Sequence, residues 1–132
     1  MTTTTHRMIA THPFSTARET LVQTLQATAD CAQVCSICAD ACLSEPMVAN
    51  LTRCITINLD CATVCDATTV LLSRQSMDQP SVLIAQLKAC MEACRVCAEE
   101  CERHAGMMEH CRVCAAECRR CENACRELLD QI

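Results

Sequence analysis

Nine of the chain's sixteen cysteines fall between Cys90 and Cys125, in the pattern C-x3-C-x2-C-x3-C, a short break, then C-x2-C-x3-C-x2-C-x3-C. They are Cys90, Cys94, Cys97, Cys101, Cys111, Cys114, Cys118, Cys121 and Cys125, and of seven more, Cys31, Cys35, Cys38 and Cys42 repeat the same steps while Cys54, Cys61 and Cys65 keep the seven- and four-residue spacing of the same face. Steps of three and four keep side chains on one face of a helix that turns once in about 3.6 residues. A stripe of thiols therefore stands where leucines would ordinarily form the seam. Its chemistry is that of soft ligands, which suit Cu(I), Zn(II) or iron-sulfur clusters.

Charge separates these candidates. A buried thiolate is costly unless it is compensated. One Cu(I) per thiolate, with each sulfur bridging two ions, leaves a neutral core, whereas four Zn(II) on sixteen thiolates leave a charge of −8. Two thiols at i and i+3 or i+4 can also clasp one Cu(I) without a third helix, while zinc asks for a closed tetrahedron. Iron-sulfur runs of the C-x2-C-x2-C-x3-C-P kind are missing. The spacing thus predicts Cu(I), about one per Cys, with a zinc or general soft-metal buffer of metallothionein type as the alternative.

Disulfides fit poorly. Same-face helical neighbours have Cβ atoms about 5 to 6 Å apart, against about 3.5 to 4.5 Å in a cystine. The opening MTTTTHRMIATHPFSTARE has no apolar h-region, twin arginine or small-residue cleavage site, so the expected setting is cytoplasmic and away from membranes. Thiols in a reducing cytosol are more often metal ligands than cystines.

Catalysis would need an open coordination position and a substrate pocket, and the sequence offers no acid-base pair, phosphate loop or βαβ context for a redox C-x2-C. The expectation is that the chain is not an enzyme. A formal charge of −5, arginines interleaved with acids and a single aromatic residue give nucleic-acid binding no support.

The elements that must hold such a stripe are helices. One Gly, three Pro, no Tyr or Trp and abundant Ala, Leu, Glu and Arg in 132 residues predict an all-α domain. The periodicity places helices at about 16–44, 46–74, 81–105 and 107–129, after a flexible or short-helical lead over 1–15. Thr16 with Glu19 reads as a capping box, Pro46 as an entry to the second helix, and Gly106 as a left-handed C′ residue ending the third.

C-A-x-V-C recurs at Cys31 and Cys61, and C-R-V-C-A-x-E-C at Cys94 and Cys111, which suits two related helical hairpins. Folded up-down-up-down, these make an antiparallel four-helix bundle with a Cys-lined core. Leu21, Leu25, Leu71, Leu72, Leu83, Leu87, Leu128 and Leu129 would close one end. His104, Met107 and His110 would stand as further metal ligands at the other, with Met47 and Met108 nearby. Asn58 interrupts the stripe, either as a polar register-setting residue or as a weak oxygen donor.

The stripe on four helices, the C-x3-C-x2-C-x3-C runs and the His and Met at one mouth resemble the copper storage proteins of bacteria, four-helix bundles that load Cu(I) into their cores. The resemblance covers about residues 16–129. It implies a Cu(I) store for storage and detoxification, ligands drawn from the sixteen cysteines with His104, Met107 and His110, kinship with the cytosolic members, and assembly as a homotetramer. Which proteins deliver or withdraw the copper is not implied.

Overall fold

The computed structural model describes residues 3–13, 18–74 and 80–132. It is all-helical: α1 Thr4–Ala10, α2 Arg18–Leu43, a 3-10 turn Val48–Asn50, α3 Thr52–Leu72, α4 Ser81–His104 and α5 Glu109–Leu129. No strand occurs among the described residues. The four long helices close a ring, α2 on α3, α3 on α4, α4 on α5 and α5 on α2, so each presents one stripe to a shared interior.

That interior has two compositions. Leu21, Leu25, Leu72, Leu87 and Leu128, each at most 3 % exposed, come from the beginnings of α2 and α4 and the ends of α3 and α5. Burying each such side chain contributes about 1.5–3 kcal/mol. Toward the other half of every helix the same stripe becomes cysteine. Between them Thr28 donates to Leu25 O at 3.1 Å and accepts from Thr69 at 2.8 Å, while Thr68 donates to Val64 O at 2.8 Å and accepts from Gln86 at 3.0 Å. These buried hydroxyls are satisfied by backbone carbonyls and neighbouring polar side chains and need no ion.

Several boundaries differ from the sequence expectation. Of the two forms expected for the lead the described residues take the short helix, capped by Thr3 Oγ1 accepting from His6 N at 3.1 Å, with Ile9 buried in the core and Gln26 reaching back to Thr3 at 3.0 Å. The helix expected from Pro46 begins at Thr52. Leu51 is turned into the core at 1 % exposure with φ −114 and ψ 7, and that inward turn breaks the helical path, leaving a single 3-10 turn before it. Thr16 of the expected capping box lies outside the described residues.

Gly106 does not take the left-handed conformation, and no described residue has positive φ. Instead α4 is closed in the right-handed region at Ala105, and His104 O accepts from the N–H groups of Met107 and Met108 at 3.1 and 3.0 Å. Because α5 starts only at Glu109, the heptad register does not carry through this turn. Met107, expected to face inward, is 74 % exposed, while Met108 is buried.

By length and composition α3 is apolar enough to cross a membrane. In this fold its Cys54, Asn58, Cys61, Cys65, Thr68 and Leu72 are buried.

Candidate metal centre

All sixteen cysteines are free and buried. Their placement follows from the helical period: α2 supplies Cys31, Cys35, Cys38 and Cys42, α3 supplies Cys54, Cys61 and Cys65, and α4 and α5 supply the other nine. Within α2, Cys31 and Cys35 sulfurs are 3.8 Å apart, and both approach Cys118 of α5, at 3.8 and 3.6 Å. Across the ring Cys61 lies 3.9 Å from Cys94, and Cys65 lies 3.8 Å from both Cys90 and Cys94.

The sulfurs form sets that could each hold one ion, with ligand atoms all within 4.8 Å of one another: Cys31, Cys65, Cys94 and Cys121; Cys31, Cys35, Cys61 and Cys118; Cys35, Cys97, Cys114 and Cys118; and Cys38, Cys101 and Cys114. Successive sets share Cys31, then Cys35 and Cys118, then Cys114. This is a continuous column, in which a sulfur belongs to two neighbouring sites and so can bridge them.

A further set adds nitrogen: Cys38, Cys42, Cys111 and His110. His110 Nδ1 stands 3.5 Å from Cys38 Sγ and 3.6 Å from Cys111 Sγ, and its Nε2 stands 3.1 Å from Glu45 Oε1. His104 is also half-buried, with Nε2 3.1 Å from Glu100 Oε2. Glu100 is a buried carboxylate, satisfied by Arg53 Nε at 3.2 Å and Arg103 at 3.6 Å as well as by His104.

Met47 packs half-buried against the core, but Met107 projects away from the sulfurs. The sequence reading missed Glu45 and Glu100. The i,i+4 step from Glu100 to His104 was a usable signal, whereas Glu45 comes from a turn and carried none.

Ionisation is uneven along the column. Burial first, and then the charge of Cys54, push the Cys42 thiol up to about 11. Burial and the charges of Cys42 and Cys54 push Cys111 up to about 12. Cys54 is lowered to about 3, chiefly because Cys101 and then Cys38 donate S–H to it. Deeper in, the contact with Cys114 raises Cys118, and the contact with Cys118 lowers Cys31. Buried thiolates are thus favoured where neighbouring groups donate hydrogen bonds to them, and burial favours the protonated thiol elsewhere.

Comparison with known proteins gives the same chemistry. The family model described as copper storage protein matches residues 17–130. A copper storage protein from Streptomyces lividans, Ccsp, solved loaded with 10 copper equivalents, is 48 % identical, with a TM-score of 0.95 over 98 % of this chain and 100 % of that one. A structure of copper loading to a cytosolic copper storage protein from Streptomyces lividans, with five coppers, is 54 % identical, with a TM-score of 0.83 over 85 % of this chain and 93 % of that one. An uncharacterized cysteine-rich protein of Bacillus subtilis strain 168, YhjQ, is 30 % identical over 81 residues, which is 61 % of this chain and 70 % of that one.

Proposed function

The chain belongs to the copper storage protein family, and from that premise we propose that it stores copper as Cu(I) inside the thiol column, about one ion per cysteine. The observation that carries this is the sharing of sulfurs between successive sets. Neighbouring sulfurs at 3.6–3.9 Å would admit a closed zinc tetrahedron as well as a lower-coordinate ion. Spacing therefore does not choose between the metals, but charge does. A column that shares its ligands and is sealed from water takes univalent ions, because divalent ones at full tetrahedral coordination leave it heavily anionic.

We infer that the four long helices run antiparallel, up-down-up-down. The order of cross-ring contacts supports this: Cys31 meets Cys118 while Cys38 meets Cys111, and Cys61 meets Cys94 while Cys65 meets Cys90. Residues 16–132 then form one bundle domain and residues 1–15 its lead. The leucine end is closed, and ions enter beside His110 and His104, where imidazole can take a soft ion without displacing a thiol proton. The ligands are the sixteen cysteines with His110 and His104; Met107 would join only after the turn moves.

The role is storage and detoxification in the cytoplasm, without catalysis, by a homotetramer of such bundles. Titrating the reduced protein with Cu(I) against a chromophoric chelator tests the count. Saturation near sixteen equivalents is expected, and saturation near four would point to zinc-type sites. Copper should also stay bound in a large excess of Zn(II).

A further inference from the structure

Glu45 lies in the turn after α2, outside every thiol stripe. Its Oε1 nevertheless stands 3.1 Å from His110 Nε2. An ionised carboxylate only accepts, so the contact puts a proton on Nε2. A neutral imidazole so held carries its lone pair on Nδ1, the atom that faces Cys38 Sγ at 3.5 Å and Cys111 Sγ at 3.6 Å. Both side chains are largely shielded, at 23 and 29 % exposure, so water competes only partly for the contact. The turn itself is pinned, since Glu45 N donates to Cys42 O at 3.2 Å and Glu45 O accepts from Val48 N at 3.2 Å. His104 has the same Nε2 contact, but with Glu100 of its own helix. Of these two carboxylates, Glu45 is the one that comes from a different element than the histidine it meets.

We propose that Glu45 is a positioning residue for copper uptake: it fixes the tautomer and ring orientation of His110 so that Nδ1 is offered, together with Cys38, Cys42 and Cys111, to an entering Cu(I). The proposal rests on the copper storage reading. A hydrogen-bonded partner on the far nitrogen of a ligating histidine is the usual way such a ring is held and its basicity raised.

Two variants separate tautomer control from charge. Glu45→Gln keeps an acceptor oxygen at the same reach, and Glu45→Ala removes it. The first readout is the 15N spectrum of the histidine rings in the reduced, metal-free protein, with His110 assigned by its loss in His110→Gln. The second is chelator competition for the first Cu(I) equivalents. The native protein and Glu45→Gln should show a proton on Nε2 and a bare Nδ1. Glu45→Ala should lose that preference and bind the first equivalents about tenfold more weakly, with Glu45→Gln close to native.

Unchanged ring nitrogens in Glu45→Ala would overturn the proposal, as would unchanged affinity despite an altered ring, or a Glu45→Gln as impaired as Glu45→Ala. Total capacity is measured alongside. If it stays near one ion per thiol in every variant, the storage reading stands even where the Glu45 proposal falls. A low capacity in the native protein sinks the storage reading, and the metal-free spectra still decide whether Glu45 sets the tautomer.

Discussion

Asn58 Nδ2 stands 3.3 Å from Cys54 Sγ, one turn back on the same helix, and donates to Cys54 O at 2.9 Å. The same amide accepts from Cys97 Sγ at 3.2 Å through Oδ1. Asn58 is fully buried, and its donors and acceptor are met by thiols of three helices, Cys54 of α3, Cys97 and Cys101 of α4 and Cys114 of α5. One amide therefore takes a cysteine position in the stripe without leaving polar groups unpaired.

Replacing it with a shape-matched apolar residue should cost stability. Asn58→Leu removes the acceptor that Cys97 and Cys114 face at 3.2 and 3.1 Å, and leaving such buried groups unmet costs about 1–3 kcal/mol. Urea denaturation of the reduced, metal-free protein should show that loss. A variant as stable as the native chain would mean that these contacts contribute nothing net.

Asn58→Cys makes the opposite test. It places a seventeenth thiol between Cys54 and Cys97, so the column should take about one more Cu(I) at saturation. An unchanged count would show that the amide already serves as a ligand or that the position is closed to metal.

The leucine half should hold the fold without metal. Leu87 is fully buried, and Leu87→Ala should destabilise the metal-free protein by about 2–5 kcal/mol. Copper capacity should be unchanged, because no sulfur is touched. Denaturation curves with and without Cu(I) check both, and bound copper should restore part of the loss to the extent that the folded column holds it more tightly than the unfolded thiols do.

Stability should also fall at high pH. Cys42 is pushed up to about 11 and Cys111 to about 12 from an ordinary thiol value of 9.0. Below 9 both states hold these protons and the contribution is fully present. As pH rises through 9 toward 11 and 12 the unfolded chain ionises while the folded one resists, so unfolding becomes easier. Cys54, lowered to about 3, works the other way: its contribution is complete above 9 and is lost as pH falls toward 3. Thermal melts of reduced, metal-free protein should therefore show Tm dropping between pH 9 and 11. A flat profile there would mean that water reaches Cys42 and Cys111.

The sequence by itself determined the all-helical class and the thiol stripe, because a three-four step repeats a purely local geometry that survives any packing of the helices. Cys31, Cys35, Cys38 and Cys42 could be put on one face before anything was known of their neighbours. The turns escaped this logic. At Leu51, Gly106 and Met107 the chain is shaped by which side chain is drawn inward, and no period runs through them. That is why Met107 was expected beside the thiols and is found in solvent. Tertiary structure alone decided which sulfurs share a set, since Cys31 and Cys118 are brought to 3.8 Å by the seating of α2 on α5 across 87 residues of sequence. It also decided that Glu45 faces His110, 65 residues away. Distances between stripes depend on how whole helices pack, and that information is not carried by the spacing within any one of them.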